Sequence, residues 1–476
     1  MISLSEIIVS PHVLVLFVVG LVVIIYRLRR PKLNEPPLVP YKYPFVGHSF
    51  EIKRNPEEFI KQCHKKHGDI FSLYASRQIY TVVSNDLAYE MLRSSDFSFR
   101  SASDQRFPFY DIIGSTLYPD FTDNISAMLM DRLYRHLGDY QPRIYRELQN
   151  GIDQLIGDCK ETKVIENPGH IIRTIIARTV ANVIVGETLC RDPEVVETFA
   201  TFATMLVQNR KLSNFAYFIH PSLHRKYVKL IFKYGDNPVQ KHKDLLIRKL
   251  KPIFEKHQRD MQQHGNEWKC SDDLIQRIIN HSLELFDEIQ YDYITCYLLT
   301  LILAGIHTVS TSILNALNDF AGRPEYWKDL REEQESIAGD FESDLSVKQI
   351  NEMKKLDSFI KESIRLVGHV CRLVFVNHLA YVSNPSLHGD NPETFSGFRY
   401  VDKDPFAMVG RTSIAFGLGK HACPGRWFAV NNIKTAMSIL IRKYEISSLD
   451  GKRPKNISAH GSIIIASVPL KFKNRK

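Results

Sequence analysis

The sequence predicts a mainly α-helical fold with a small β part, preceded by one N-terminal transmembrane helix. Three patterns support this prediction: an uncharged apolar stretch near the start, helical periodicity from about residue 130 to about residue 370, and only two β-branched stretches, 79–83 and 463–468. The chain has 476 residues, 44% of them hydrophobic and 24% charged, so it is long enough to bury a sizeable core.

The N-terminal segment has the composition of a membrane anchor. No residue from Ile7 to Tyr26 is charged, and roughly 20 apolar residues are enough to span a bilayer as a helix. Arg27, Arg29, Arg30 and Lys32 follow directly, so the positive-inside rule keeps this flank in the cytosol. A cleaved signal peptide is the alternative. Such a peptide has a basic residue before the apolar run and a small-residue cleavage site after it, and neither feature is present in this sequence.

The expected domain boundaries follow from this pattern. Residues 1–30 are the predicted anchor, and the proline-rich stretch 31–48 is predicted to be a stiff, extended hinge. No internal repeat or low-complexity tract interrupts residues 49–476, so we expect them to form one domain.

Charge and cysteine usage limit the class of partner. The net charge of +9 is spread along the chain, which suits an acidic protein or an anionic lipid and gives no indication of nucleic-acid binding. The seven cysteines include no Cys-x-x-Cys pair, which argues against a disulfide framework or a zinc site and for a reducing compartment.

The strongest chemical signal is a cysteine in a glycine-rich turn, Phe416-Gly-Leu-Gly419-Lys-His421-Ala-Cys423-Pro-Gly425. Three glycines and a proline bend the backbone tightly enough for a flat group to approach it. A helical pattern begins directly after the turn, and the amides and dipole of a helix N-terminus favour a thiolate. By itself, a lone cysteine is more often a buried structural residue.

This decapeptide resembles the haem-binding loop of the cytochrome P450 superfamily, Phe-x-x-Gly-x-x-x-Cys-x-Gly, with all four fixed positions present. The resemblance implies the cytochrome P450 fold and a haem b cofactor whose iron takes Cys423 as its axial thiolate ligand. It also implies that His421 lies near a haem propionate. Without the resemblance, His421 would more often be a solvated loop histidine.

A second element is the pair Glu362 and Arg365, which share one helix face because they are three positions apart. In isolation this is a surface ion pair worth about 0.2–0.5 kcal/mol. It resembles the Glu-x-x-Arg helix of the family, and Phe395-Ser-Gly-Phe398-Arg399 resembles its Phe-x-x-Arg partner. The resemblance implies that Glu362, Arg365 and Arg399 are buried together and support the haem loop.

A third element is Ala304-Gly305-Ile-His307-Thr308 in a long apolar segment that begins near Asp272 and continues to Leu314. Glycine inside a helix costs about 1 kcal/mol against alanine, so it suggests close helix packing or a local distortion. The element resembles the oxygen-binding helix of the family, in which Thr308 would steady dioxygen and its protons. His307 occupies the acidic position, similar to the sterol 14-demethylase branch and several fungal families.

Two departures from the family pattern remain. The tryptophan-x-x-x-arginine helix has no counterpart, and Arg132 or Arg135 is the candidate to replace it at the propionates. Only 58 positions separate Arg365 from Cys423, roughly twenty to thirty fewer than in the family, which is more than loop variation explains. The missing part falls around Arg372 to Asn377, where the family has strands that line the substrate pocket.

The resemblance implies a monooxygenase that takes electrons from NADPH-cytochrome P450 reductase at the endoplasmic reticulum membrane and acts on a lipophilic substrate. Residues 36–48 are similar to fungal members, which suggests a terpenoid, steroid or alkaloid of secondary metabolism. Two alternatives stay open. One is a haem-dependent isomerase or dehydratase, against which Thr308 argues; the other is a haem-binding protein without turnover, which the short gap favours.

Overall fold

The computed structural model describes residues 35–98 except 76, 108–209 except 119, 221–264 except 236, 274–339, 344–367, 374–459 and 462–475, with positions 15, 18, 20 and 21. Its fold is mainly helical with small sheets, as the sequence predicts. Most of the expected anchor lies outside the described residues, and so do Asp272 and Arg372.

The N-terminal part of the body is a helix pair with a β-hairpin. Its elements are α1 Ser49–Arg54, α2 Pro56–His67, β1 Ile70–Ala75, β2 Gln78–Val83 and α3 Asn85–Arg93. The chain before α1 is attached to β1, because Ser72 N–H donates to the Pro37 carbonyl (2.8 Å) and Val39 N–H donates to the Ser72 carbonyl (2.9 Å). Residues 37–48, which the sequence assigns to the hinge, therefore pack on the sheet.

Helices dominate the rest of the chain. Their bounds are α4 Phe109–Ile113, α5 Phe121–Leu129, α6 Leu137–Leu155, α7 Pro168–Leu189, α8 Pro193–Asn209, α9 Pro221–Tyr234, α10 Pro238–His264, α11 Leu274–Phe286, α12 Tyr291–Gly305, α13 His307–Ala321, α14 Trp327–Ala338, α15 Val347–Glu352, α16 Lys354–Val367, α17 His378–Val382, α18 Pro385–His388 and α19 Arg426–Lys443. Helix α13 packs against α7, α16 and α19, so these four helices surround the central core.

The remaining strands are short. They are β3 Lys163–Ile165, β4 Val374–Val376, β5 Tyr444–Ser448, β6 Ile457–Ala459, β7 Ser462–Ile464 and β8 Leu470–Asn474. Strand β2 pairs with β1 antiparallel and with β4 parallel, β8 lies between β3 and β5, and β6 pairs with β7. The expected strand 463–468 is therefore shorter than predicted and ends at Ile464.

The long apolar segment is not one helix. It is interrupted between α11 and α12, where Asp287 adopts a left-handed conformation (φ 57°) and Gln290 N–H donates to the Ser282 hydroxyl (2.9 Å). Within the described residues, Tyr291–Ala321 is the helical stretch long and apolar enough to cross a membrane, yet more than half of it is buried inside the protein. We therefore assign it to the core of the body.

Candidate active site

The Cys423 loop is a closed turn in front of α19. Cys423 N–H donates to the Phe416 carbonyl (2.7 Å), and Gly417 N–H donates to the Ile414 carbonyl (3.0 Å). Gly417 has φ +72°, and a Cβ added there would lie 2.8 Å from the His421 carbonyl oxygen. Because an L side chain is strained at that φ and would also clash, the loop requires glycine at this position.

The charge state of Cys423 depends on its surroundings. Burial raises the pKa of the thiol, while the Gly425 amide and the Arg426 guanidinium act in the opposite direction. Arg426 also donates from Nη1 to the Cys423 carbonyl (2.9 Å). Arg426 is a functional residue that the predicted site did not include, although a basic residue at the first position of the helix after the cysteine is a signal visible in the sequence. These groups would stabilise a thiolate that also binds a metal.

Helix α3 supports the other side of the loop. His421 Nε2 lies 3.1 Å from the Ser94 carbonyl oxygen, just beyond the end of α3. A Cβ on Gly419 would lie 3.3 Å from the Arg93 carbonyl oxygen, so the two backbones are close. The side chain of His421 is exposed, and its contact with a propionate stays a prediction.

The helix that carries Ala304 and Thr308 is broken between them. Helix α12 ends with Ile306 N–H donating to the Ile302 carbonyl (3.2 Å), and α13 begins with Ser310 N–H donating to the Ile306 carbonyl (3.0 Å). The Thr308 hydroxyl donates to the Ala304 carbonyl (2.6 Å), which bridges the break. The distortion that Gly305 suggested in the sequence is therefore present.

Both sides of this site border open space. Ala304 and Thr308 are exposed, although Ile302 and Ile306 beside them are 0% and 1% exposed. A Cβ on Gly425 would meet no protein atom within 4 Å. Helix α19, which starts directly after Gly425, packs against α13, which carries Thr308.

A haem fits these residues. Among the described residues, no group of three or more His, Cys, Asp or Glu side chains could hold a metal ion, so an iron at Cys423 needs its further ligands from another group. A porphyrin supplies four nitrogen ligands and requires one axial ligand from the protein. The glycines of the loop and the exposed Ala304 and Thr308 at the broken helix agree with that requirement.

Glu362, Arg365 and Arg399 form one buried network. The Glu362 side chain is 0% exposed and accepts from Arg365 Nε (2.7 Å), Arg365 Nη2 (2.8 Å) and Arg399 Nε (3.1 Å). Ser396 N–H also donates to it (3.0 Å). Both arginines also donate hydrogen bonds to main-chain carbonyls within residues 382–394. The network therefore holds the segment that leads to the Cys423 loop.

The family model described as Cytochrome P450 matches residues 36–474, almost the whole of the described body. The chain belongs to the cytochrome P450 family. Two curated relatives are similar along much of their length. "Cytochrome P450 monooxygenase 110" of Postia placenta is 26% identical over 93% of this chain and 94% of the relative. "Ent-kaurene oxidase P450-4" of Gibberella fujikuroi is 27% identical over 72% of this chain and 72% of the relative. "Cytochrome P450 monooxygenase BOA4" of Botryotinia fuckeliana is 29% identical over 64% of this chain. The protein is accordingly an oxidoreductase of the P450 monooxygenase family.

The described residues and the relatives bear on both departures from the expected P450 pattern. Arg135 donates to Asp131 (3.1 Å) with 72% of its side chain exposed, and the side chain of Arg132 lies outside the described residues. The alignment with the Postia placenta P450 runs over 494 positions, more than the 476 residues of this chain, so this chain lacks residues that its relative has. Between Arg372 and Asn377, where the sequence predicts the shortened segment, the described residues include the three-residue strand β4.

We expect the substitution Arg365→Ala to lower the free energy of unfolding by about 3–5 kcal/mol, because it leaves part of a buried carboxylate charge without its partner. The measurement is urea unfolding with linear extrapolation. The control is Lys328→Ala, which removes an exposed pair with Glu332 (3.8 Å) and should cost only about 0.3–0.5 kcal/mol. An equally small loss in Arg365→Ala would contradict the assignment.

Proposed function

We propose that this P450 binds haem b through Cys423 and inserts one oxygen atom from dioxygen into a carbon–hydrogen bond of a lipophilic substrate. The observation that carries the proposal is the closed Cys423 loop at the start of α19, a helix packed against the helix that contains Thr308. Membership in the P450 family supports the same reaction.

The haem, when bound, supplies the activation of dioxygen and the transfer of oxygen to carbon. Cys423 would hold the iron through Sγ, and the Gly425 amide and Arg426 would stabilise the negative charge on that sulfur. Gly425 would let the backbone approach the flat group closely, while Phe416, packed on Phe406, and Gly419, close to Arg93, would hold the loop in shape. Glu362, Arg365 and Arg399 would keep the loop in place without touching the haem.

Thr308 is the residue that would handle protons. Its Oγ1 donates to the Ala304 carbonyl and faces open space, so its lone pairs can accept a hydrogen bond from a water molecule there. Such an arrangement keeps a proton source beside the space where dioxygen would bind. Gly305 leaves room beside the break, and His307 next to Thr308 is a further group that can exchange a proton.

The N-terminal sequence supports a proposal for the cellular setting. We place the protein in the endoplasmic reticulum membrane as a single-pass chain, with residues 1–30 as the anchor and the body in the cytosol, where NADPH-cytochrome P450 reductase would supply electrons. We place the substrate among terpenoids, steroids or alkaloids. Relatives named ent-kaurene oxidases, 27% identical to this chain, support the terpenoid class.

A second candidate function is haem binding without turnover. It is favoured by the short chain between Arg365 and Cys423 and by β4, which pairs with β2 on one side and has no second partner strand among the described residues. An open strand edge and a missing pocket wall would reduce both stability and substrate binding.

We expect the reduced protein with carbon monoxide to show the red-shifted Soret band of a thiolate-bound haem, and Cys423→Ser to abolish it, because serine does not supply a thiolate. The control is Cys63→Ser, at a buried cysteine of the N-terminal core that should leave the band unchanged. Retention of the band in Cys423→Ser would refute the assignment of Cys423.

We expect Thr308→Ala to keep the haem spectrum but to divert electrons from product to hydrogen peroxide, because the hydroxyl that would hold a proton-delivering water beside the oxygen site is lost. The ratio of product formed to NADPH consumed measures this. Ser310→Ala is the matched control: its hydroxyl makes the same bond to the carbonyl four residues earlier (2.7 Å), but the residue is buried on another face. Equal coupling in all three proteins would remove Thr308 from proton delivery.

We expect a strand-forming segment from a relative to raise haem occupancy, thermal midpoint and product formation when it is inserted between Arg372 and Val376, directly after Arg372 so that β4 stays intact. The segment would cover the edge of β4 and restore pocket wall. A glycine-serine insert of equal length is the control, since it adds chain without strand pairing. Robust turnover by the unmodified chain, with no gain from the segment, would show that the gap is harmless.

A further inference from the structure

Asp357 lies in the first turn of α16 and contacts both flanks of the Cys423 loop. Its Oδ2 accepts from Phe406 N–H (2.8 Å), which belongs to the chain before the loop. Its Oδ1 pairs with Lys434 Nζ (3.2 Å), which belongs to α19 after the loop. One carboxylate therefore joins the entry and the exit of the loop to the helix that also carries Glu362 and Arg365.

The path from Asp357 to the cysteine is short and buried. Phe406 is 2% exposed, and its ring packs against that of Phe416 with centroids 5.0 Å apart. The Phe416 carbonyl accepts from Cys423 N–H (2.7 Å). A shift of Phe406 would therefore reach Cys423 through one ring contact and one hydrogen bond.

Lys361, one turn further along α16, supports the same segment. It is 2% exposed, its Nζ donates to the Asp404 carbonyl (2.9 Å), and it lies over the Tyr400 ring at 4.4 Å from the centroid. Asp404 is two residues before Phe406, so Asp357 and Lys361 hold neighbouring points of one strip of chain.

Lys434 makes this arrangement depend on charge. The side chain is 3% exposed, and burial lowers its pKa while Asp357 favours the charged form. Glu333, which accepts from the Lys355 and Leu356 amides at the start of α16, is the second acid that faces it. Removing one partner of a buried pair leaves the other uncompensated, so the pair can act as a strong positional constraint.

We propose that Asp357 is a positioning residue that sets where the Cys423 loop lies relative to the Glu362 and Arg365 network, through its simultaneous bonds to Phe406 and Lys434. The inference rests on the proposed function, because holding a haem ligand is what gives the loop position its importance. The bonds themselves do not depend on haem, so they can be tested separately.

The test is hydrogen exchange of the Cys423 amide in the full-length protein, followed by mass spectrometry or NMR. We expect Asp357→Asn to accelerate this exchange by about tenfold, which corresponds to about 1.4 kcal/mol. The matched control is Glu147→Gln: Glu147 is a buried carboxylate that pairs with Arg178 and Arg191 away from the loop. Its substitution should lower the thermal midpoint without selectively accelerating the Cys423 amide.

A double-mutant cycle with Lys434→Met separates positioning from general stability. We expect the double variant Asp357→Asn with Lys434→Met to exchange more slowly than the product of the single effects, because it removes both charges of the buried pair while Glu333 keeps its bonds to the Lys355 and Leu356 amides. Purely multiplicative effects would overturn the proposal. The proposal would also be overturned if Glu147→Gln accelerated exchange of the Cys423 amide as much as Asp357→Asn does, at the same decrease in thermal midpoint.

A spectroscopic readout then connects the loop to the haem. In the reduced carbon monoxide complex, Asp357→Asn should lose the thiolate band faster than the wild type, and Glu147→Gln should not. If the wild type never shows that band but the exchange results hold, the proposed haem function fails while the positioning role stands. If the band is lost at equal rates in all proteins, Asp357 does not position the ligand.

Discussion

The buried charge of Glu362 is the constraint on which the organisation of the site depends. A carboxylate with no exposed surface is tolerated only when its charge and its lone pairs are fully compensated. Arg365, Arg399 and the Ser396 amide provide that compensation, and the arginines in turn bind carbonyls along residues 382–394. Residues 382–394, which contain only one complete helix, the short α18, are thereby held in one conformation.

The same helix holds the Cys423 loop through a second set of contacts. Glu362 and Arg365 bind the middle of the segment, whereas Asp357 and Lys361 bind its end, just before the loop. Asp357 also reaches α19 through Lys434. Since α19 starts directly after the loop, both ends of the loop are bound to one helix, α16. The loop itself is stabilised by its glycines, its internal hydrogen bonds and its contact with α3.

The helix that is broken at Ile306 is stabilised differently from the Cys423 loop. In the interior of a regular helix, every main-chain carbonyl accepts a hydrogen bond from the amide four residues later. The break at Ile306 removes such bonds between α12 and α13. The Thr308 hydroxyl donates to the Ala304 carbonyl and so replaces one of the lost bonds. The exposed Thr308 side chain is thereby placed beside the buried Ile302 and Ile306. A local distortion in an otherwise apolar core is thus the source of the polar chemistry available there.

The sequence by itself determined the helical class, the Cys423 loop, the glycine in the broken helix and the pairing of Glu362 with Arg365, because each is set by neighbours a few positions apart. Local patterns also explain its errors: apolar composition did not show the break at Asp287, and β-branched residues after Ile464 did not extend β7. Only the tertiary structure showed that the arginines bind carbonyls of residues 382–394, that residues 37–48 join the first sheet, and that Asp357 meets Phe406 and Lys434. These partners are far apart along the chain. Helix packing, and not local spacing in the sequence, decides which charged side chains meet in the core.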